Sequence, residues 1–175
     1  MTFLIPATES TLKPEAKALR DARADAQGGS ITGLQAALLA NPTSFRVSLG
    51  WQALWDEIAP WIGERALTLF AYAIADEDGS LPTALSFRRT LLEAGDDPDN
   101  PQVTEAEQLL IDWGRLIVRS PHDIPDEFYS RLQSAFGPER RLTLLAFAGQ
   151  TVALDLLATV GRIPLDPDLE PYRQA

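Results

Sequence analysis

The chain has no cysteine. That excludes disulfides, thiol redox catalysis, thiolate metal sites and iron–sulfur clusters. Histidine occurs once, at His122. Positive charge is scarce, with 15 Lys and Arg against 25 Asp and Glu, a net charge of −10 and a pI near 4.5. A nucleic-acid partner needs a basic face, and an anionic membrane surface does likewise. Neither partner is expected. No stretch alternates apolar and polar residues for long enough to form a strand. The opening MTFLIPATES has no basic n-region and too short an apolar run for a signal peptide. The longest apolar run, Leu142 to Val160, is broken by Gln150 and Asp155, which favours a buried helix over a membrane span. These features together predict a soluble cytoplasmic protein.

What is present is helical. The stretch RALTLFAYAIADEDGSLPTALSFRRTLLEAG, from Arg65 to Gly95, organises the rest. It reads as a nearly apolar helix, an acidic turn and a second helix. Ala66 to Ala75 carries no charge, and a helix apolar all round belongs in a core or an oligomer interface. Ser80 stands at an N-cap position with Pro82 in the first turn, and Gly95 closes the second helix. Upstream, Pro14 to Gln27 is a helix with alternating charge, expected to be mostly exposed. Ser30 is expected to cap a helix over Ile31–Leu39, and Asn41-Pro42 to open another. Trp51, Leu54, Trp55 and Ile58 lie at helical spacing on one face, and Pro60 is expected to open the central helix. Downstream, Thr104 and Glu107 form a capping box, followed by the apolar face Leu109, Leu110, Trp113, Leu116 and Ile117. Asp126 to Phe136 is a short helix, and Pro138 opens a long one ending at Gly161. The remaining segment, IPLDPDLEPYRQA, reads as extended.

The expected fold is an all-α multi-helix bundle of about seven or eight helices. It is organised as an arm and first helix over 1–30, one helical domain over 31–168 and a tail over 169–175. Two helices apolar nearly all round exceed what so short a chain can cover, which points to self-association.

The order and punctuation of these helices from about Leu34 to Asp168 resemble the alkylhydroperoxidase D-like (AhpD-like), carboxymuconolactone decarboxylase superfamily, in its peroxidase-related branch. The carrying stretches are LQAALLANPTSFRVSLGWQALW, the hairpin ending in EAG, and EAEQLLIDWGRLIVRS with the long apolar helix that follows. The resemblance implies a homo-oligomer, a trimer or hexamer. The redox members of that family carry Cys-x-x-Cys-x-x-x-His at the start of the second hairpin helix, and a Glu one helix earlier. Aligned on Glu93-Ala94-Gly95, the two Cys positions are Ser80 and Thr83, the His position is Phe87 and the Glu position is Thr68. A hydroxyl cannot replace a thiolate in peroxide reduction. The resemblance therefore implies a fold without its thiol chemistry, and the decarboxylase branch also lacks its His at Phe87. Thr68, Ser80, Thr83 and Phe87 are the candidates for a residual pocket. The expected function is a non-catalytic, oligomeric binding or interaction protein without cofactor or metal. One alternative is an enzyme acting on a small organic substrate in that pocket. Another is a component of a peroxide-defence system that borrows a partner's thiols.

Other polar residues have plainer readings. Asp76, Glu77 and Asp78, and Asp96, Asp97 and Asp99, read as solvated turns. His122 beside Asp123 reads as a surface loop residue. Arg88, Arg89, Arg140 and Arg141 read as partners for the many acids. Asp155, alone in the apolar last helix, calls for a partner such as an arginine if it is buried.

Overall fold

The computed structural model describes residues 2–26 and 28–173. Among these it is all-α, with nine α-helices: α1 (Pro14–Ala26), α2 (Gly33–Leu38), α3 (Pro42–Ser48), α4 (Gly50–Ile62), α5 (Glu64–Asp78), α6 (Leu81–Glu93), α7 (Glu105–Arg119), α8 (Asp126–Ala135) and α9 (Pro138–Val160). A 3-10 turn follows over Pro167–Tyr172. The expected last residue of the first helix, Gln27, and the last two tail positions, 174–175, lie outside the described residues.

Helix α5 is the axis of the bundle. Its residues Ala66 to Ala71 and Ala73 to Ala75 are buried, because α4, α6, α7 and α9 all pack against it. The absence of charge in this stretch is thus explained by enclosure within one chain. Phe70 stacks on Trp113 of α7 at 5.7 Å between ring centroids and meets Phe147 of α9 at 6.2 Å. Gly114 lets α5 and α7 approach closely: a Cβ there would sit 3.1 Å from both the Phe70 carbonyl oxygen and Ile74 Cγ1. Arg65 fastens the start of α5 to the far side of the hairpin. It pairs with Asp96 at 2.9 Å and with Glu107 on α7. Glu107 also completes the capping box with Thr104.

Several boundaries differ from expectation for local reasons. Pro60 lies inside the last turn of α4 rather than opening α5. The break comes three residues later, at Gly63 with φ 91°, a backbone conformation that side chains beyond glycine rarely adopt. Thr32, not Ser30, caps α2, accepting from the Gln35 N–H in a capping box. Asn41 caps α3 as expected, accepting from the Ser44 N–H. Of the residues expected to stop α5, the acids 76–78 stay inside the helix and Gly79 ends it, in the left-handed conformation at φ 74°; Gly95 at φ 86° closes α6 as expected. The segment after Gly161 is not extended throughout, since Pro167–Tyr172 coils back against α6. The arm is tied down as well: the N–H groups of Phe3 and Leu4 both donate to the Gly161 carbonyl.

Candidate functional site

Helix α6 begins at a buried polar corner. Ser80 is 0% exposed and occupies the N-cap position, yet its hydroxyl makes no cap bond. It donates instead to Thr83 Oγ1 at 3.2 Å. Across from these two hydroxyls lies Asp155 of α9, also 0% exposed. The expected arginine partner is absent: Asp155 forms no ion pair among the described residues, and neither carboxylate oxygen has a hydrogen bond of good geometry. Burial pushes its carboxyl up to about 6, and the nearby Thr83 and Ser80 hydroxyls hold it down from going further. A buried charge without a counter-charge shifts its titration in this way. A carboxyl that titrates near 6 gives or takes a proton close to neutrality, which general acid–base chemistry requires.

In front of this corner is a cavity of about 580 Å³, within the size range of small-molecule sites. It lies between α2, α4, α6, α9 and the returning C-terminal segment. Thr83 and Phe87 line it, as do Trp51, Thr151, Leu154 and Ala158. The α4 wall is aromatic. Phe87 and Trp55 are stacked at 6.3 Å, and Trp51 packs 5.2 Å from Trp55 and 5.3 Å from Phe147. The Trp51 indole N–H donates to Thr151 Oγ1 at 3.0 Å, while the Thr151 hydroxyl donates to the Phe147 carbonyl. That chain of bonds holds the indole against α9 with its polar atom satisfied.

Of the four positions singled out from the sequence, the structure brings three together. Thr83 and Phe87 face the cavity, and Ser80 sits behind Thr83. Thr68 is buried elsewhere on α5, where its hydroxyl donates to the Glu64 carbonyl at 2.7 Å. It does not line the cavity. Phe87 packs against tryptophans and leaves the space open, where a filled pocket would have counted against a ligand.

Several of the remaining candidates are held by other contacts. Arg88 makes a two-pronged ion pair with Asp99 at 2.6 Å, and Arg89 reaches Asp168 at 2.6 Å. Arg140 lies over the Trp61 ring at 4.8 Å, a cation–π contact in place of the expected ion pair. Glu77 receives Arg119 at 2.7 Å. His122 is exposed, and no group of three His, Asp or Glu among the described residues is placed to hold a metal ion.

Sequence reasoning missed Arg23, Gln52 and Thr151, which also line the cavity. A signal for Arg23 was present. Ala16, Leu19 and Arg23 fall on one stripe of α1, and Ala16 is fully enclosed, so this arginine faces inward on a helix read as mostly exposed. Thr151 precedes Asp155 by one helical turn and shares its face. No protein-family model and no curated protein sequence matches the chain.

Proposed function

We propose that the protein is a small-molecule-binding member of the AhpD-like helical class that has no thiol chemistry and works as a homo-oligomer. The observation that carries this reading is the open cavity at the start of α6, lined by Thr83 and Phe87 and walled by aromatic and aliphatic side chains. A mainly apolar pocket with a few placed polar groups is the usual form of a small-molecule site. The oligomer has its own support. Leu142, Leu145, Gly149, Ala153, Leu156 and Val160 form one stripe along α9, and all are exposed in the single chain. Leu142 is 68% exposed and Val160 60%. The helix is long and apolar enough to cross a membrane, with mean hydropathy 1.5, but the buried Asp155 in its C-terminal half and the packing of its other face on α4 and α5 favour a protein-covered stripe.

A native mass spectrum of the gently purified protein tests both parts. A multimer carrying a stoichiometric extra mass supports the reading. A clean monomer without added mass, even when small aromatic compounds are supplied, overturns it. Consumption of peroxide above a protein-free blank, with any dithiol reductant, would contradict the loss of thiol chemistry.

A second reading, an enzyme acting on a small organic molecule, is favoured by one observation. Asp155 is buried beside Thr83, and Thr83 lines the cavity while Asp155 does not. In that reading Asp155 is the general base or acid and Thr83 relays the proton. Thr83→Val with the fold intact would abolish turnover while leaving ligand binding in place.

A further inference from the structure

We infer that the cavity takes an organic anion, a carboxylate on an aromatic or aliphatic body, and that Arg23 receives the charged end. This rests on the reading of the cavity as a ligand site and adds the chemical class of its ligand.

The charged groups on the cavity wall are Arg23, Arg89, Asp166 and Asp168. Three of them are committed. Arg89 and Asp168 hold each other at 2.6 Å. Asp166 accepts the Gly33 N–H through both oxygens, at 3.0 and 3.1 Å. Arg23 is left over. It forms no ion pair among the described residues. One bond is made, from Nη2 to Gln52 Oε1 at 3.1 Å, and its Nε is buried with no acceptor.

The amide that holds Arg23 is itself oriented. Gln52 Nε2 donates to Asp56 Oδ1 at 2.8 Å, which turns Oε1 toward the guanidinium. Asp56 thus orients the amide that holds Arg23, and its own charge reaches the guanidinium only through space, without contact. Burial weakens the hold of Arg23 on its proton, and Asp56 only partly offsets this. A guanidinium taken partly out of water with no anion in contact is a costly arrangement that an arriving carboxylate relieves. Its fork also matches carboxylate geometry.

The rest of the wall sets the body of the ligand. Trp51, Phe87, Leu34, Leu38 and Leu154 present rings and methyl groups, surface that a bare inorganic anion would leave unfilled. The protein carries a net charge of −10, so long-range steering does not favour anions. Recognition has to come from the local guanidinium.

Calorimetric titration with 2-naphthoate and 2-naphthamide, alike in shape and one charge apart, tests the inference. The acid should bind at least about tenfold more tightly than the amide, the least expected of one charge-assisted contact. Arg23→Gln should bring the acid down to the level of the amide and leave the amide unchanged, while Arg23→Lys should keep part of the preference. Ala158→Phe, which fills the cavity, should remove both. Equal affinities in the unmodified chain, or an undiminished preference in a folded Arg23→Gln chain, overturn the anion and leave the cavity standing. Failure of both probes to bind, or binding of both undiminished by Ala158→Phe, overturns the cavity as a site. The acid-against-amide comparison in the unmodified chain needs no variant to fold.

Discussion

Replacing Asp155 by Asn removes the ionisable group at the buried end of the site and keeps its shape. In the folded chain this carboxyl is raised to about 6 from an ordinary 3.8. The folded state therefore holds a proton that the unfolded state has released between those values. Stability contributed by the protonated form is fully present below about pH 4 and is lost as pH rises to about 6. Above that, both states are ionised, and the folded chain carries the whole cost of a buried charge. The gap between the two values corresponds to about 3 kcal/mol. Asp155 is 0% exposed, so solvent screening does little to reduce it. Asp155→Asn should thus stabilise the protein by about 2–3 kcal/mol at pH 8 and by little at pH 4, the Ser80 and Thr83 hydroxyls remaining as partners for the amide. Urea unfolding of both chains between about pH 4 and pH 8 measures this, at low protein concentration because the pI is near 4.5. The difference between the chains is the informative quantity. Glu9 and Glu77, held down by Arg20 and Arg119 respectively, lend stability that is lost toward low pH, and that part cancels. A difference that does not change with pH would refute the argument, and so would destabilisation by Asp155→Asn at pH 8.

Thr104→Ala should cost about 1 kcal/mol by opening the capping box at the start of α7, read as a lower thermal midpoint. Gly114→Val should cost about 2–4 kcal/mol, because the added methyls meet the Phe70 carbonyl and Ile74 on α5 where a Cβ alone is already at 3.1 Å; an unchanged urea midpoint would show that α5 and α7 can separate freely. Leu145→Glu together with Leu156→Glu should break the proposed homo-oligomer without unfolding the chain, since both side chains are half exposed or more in the single chain; sedimentation velocity would report the smaller species. Phe147→Ala should cost about 3–5 kcal/mol as a fully buried ring that meets Trp51, Trp55 and Phe70, with circular dichroism melting as the readout.

The fold class was written in the sequence because its signals are local. The charge-free stretch Ala66 to Ala75 needed no tertiary knowledge to be placed in a core. The Thr104–Glu107 box, the Asn41-Pro42 start and the Gly79 and Gly95 stops are satisfied by bonds or backbone angles within a few residues. The same reasoning misplaced Pro60, because a proline near the end of a helix and one at the start of the next look alike until the backbone at Gly63 is seen. Ser80 shows the limit most clearly. Its position predicted a cap, but its hydroxyl turns to Thr83 in a buried corner that it shares with Asp155, a residue 75 positions away in the sequence.

The candidate site was half legible. Helix order and the EAG punctuation led to Ser80, Thr83 and Phe87, and these do meet at one end of α6. That Asp155 would face them without an arginine, that Thr68 would turn away, and that Arg23 would line the cavity beside Gln52 were decided by how α1 packs on α3, α4 on α9, and α9 on α5 and α6. A helix can tell which of its faces is apolar, because its own repeat fixes that. It cannot tell which polar residue on a neighbouring helix will be left opposite a charge. Burial and pairing belong to two elements at once, and only the tertiary structure brings the two together.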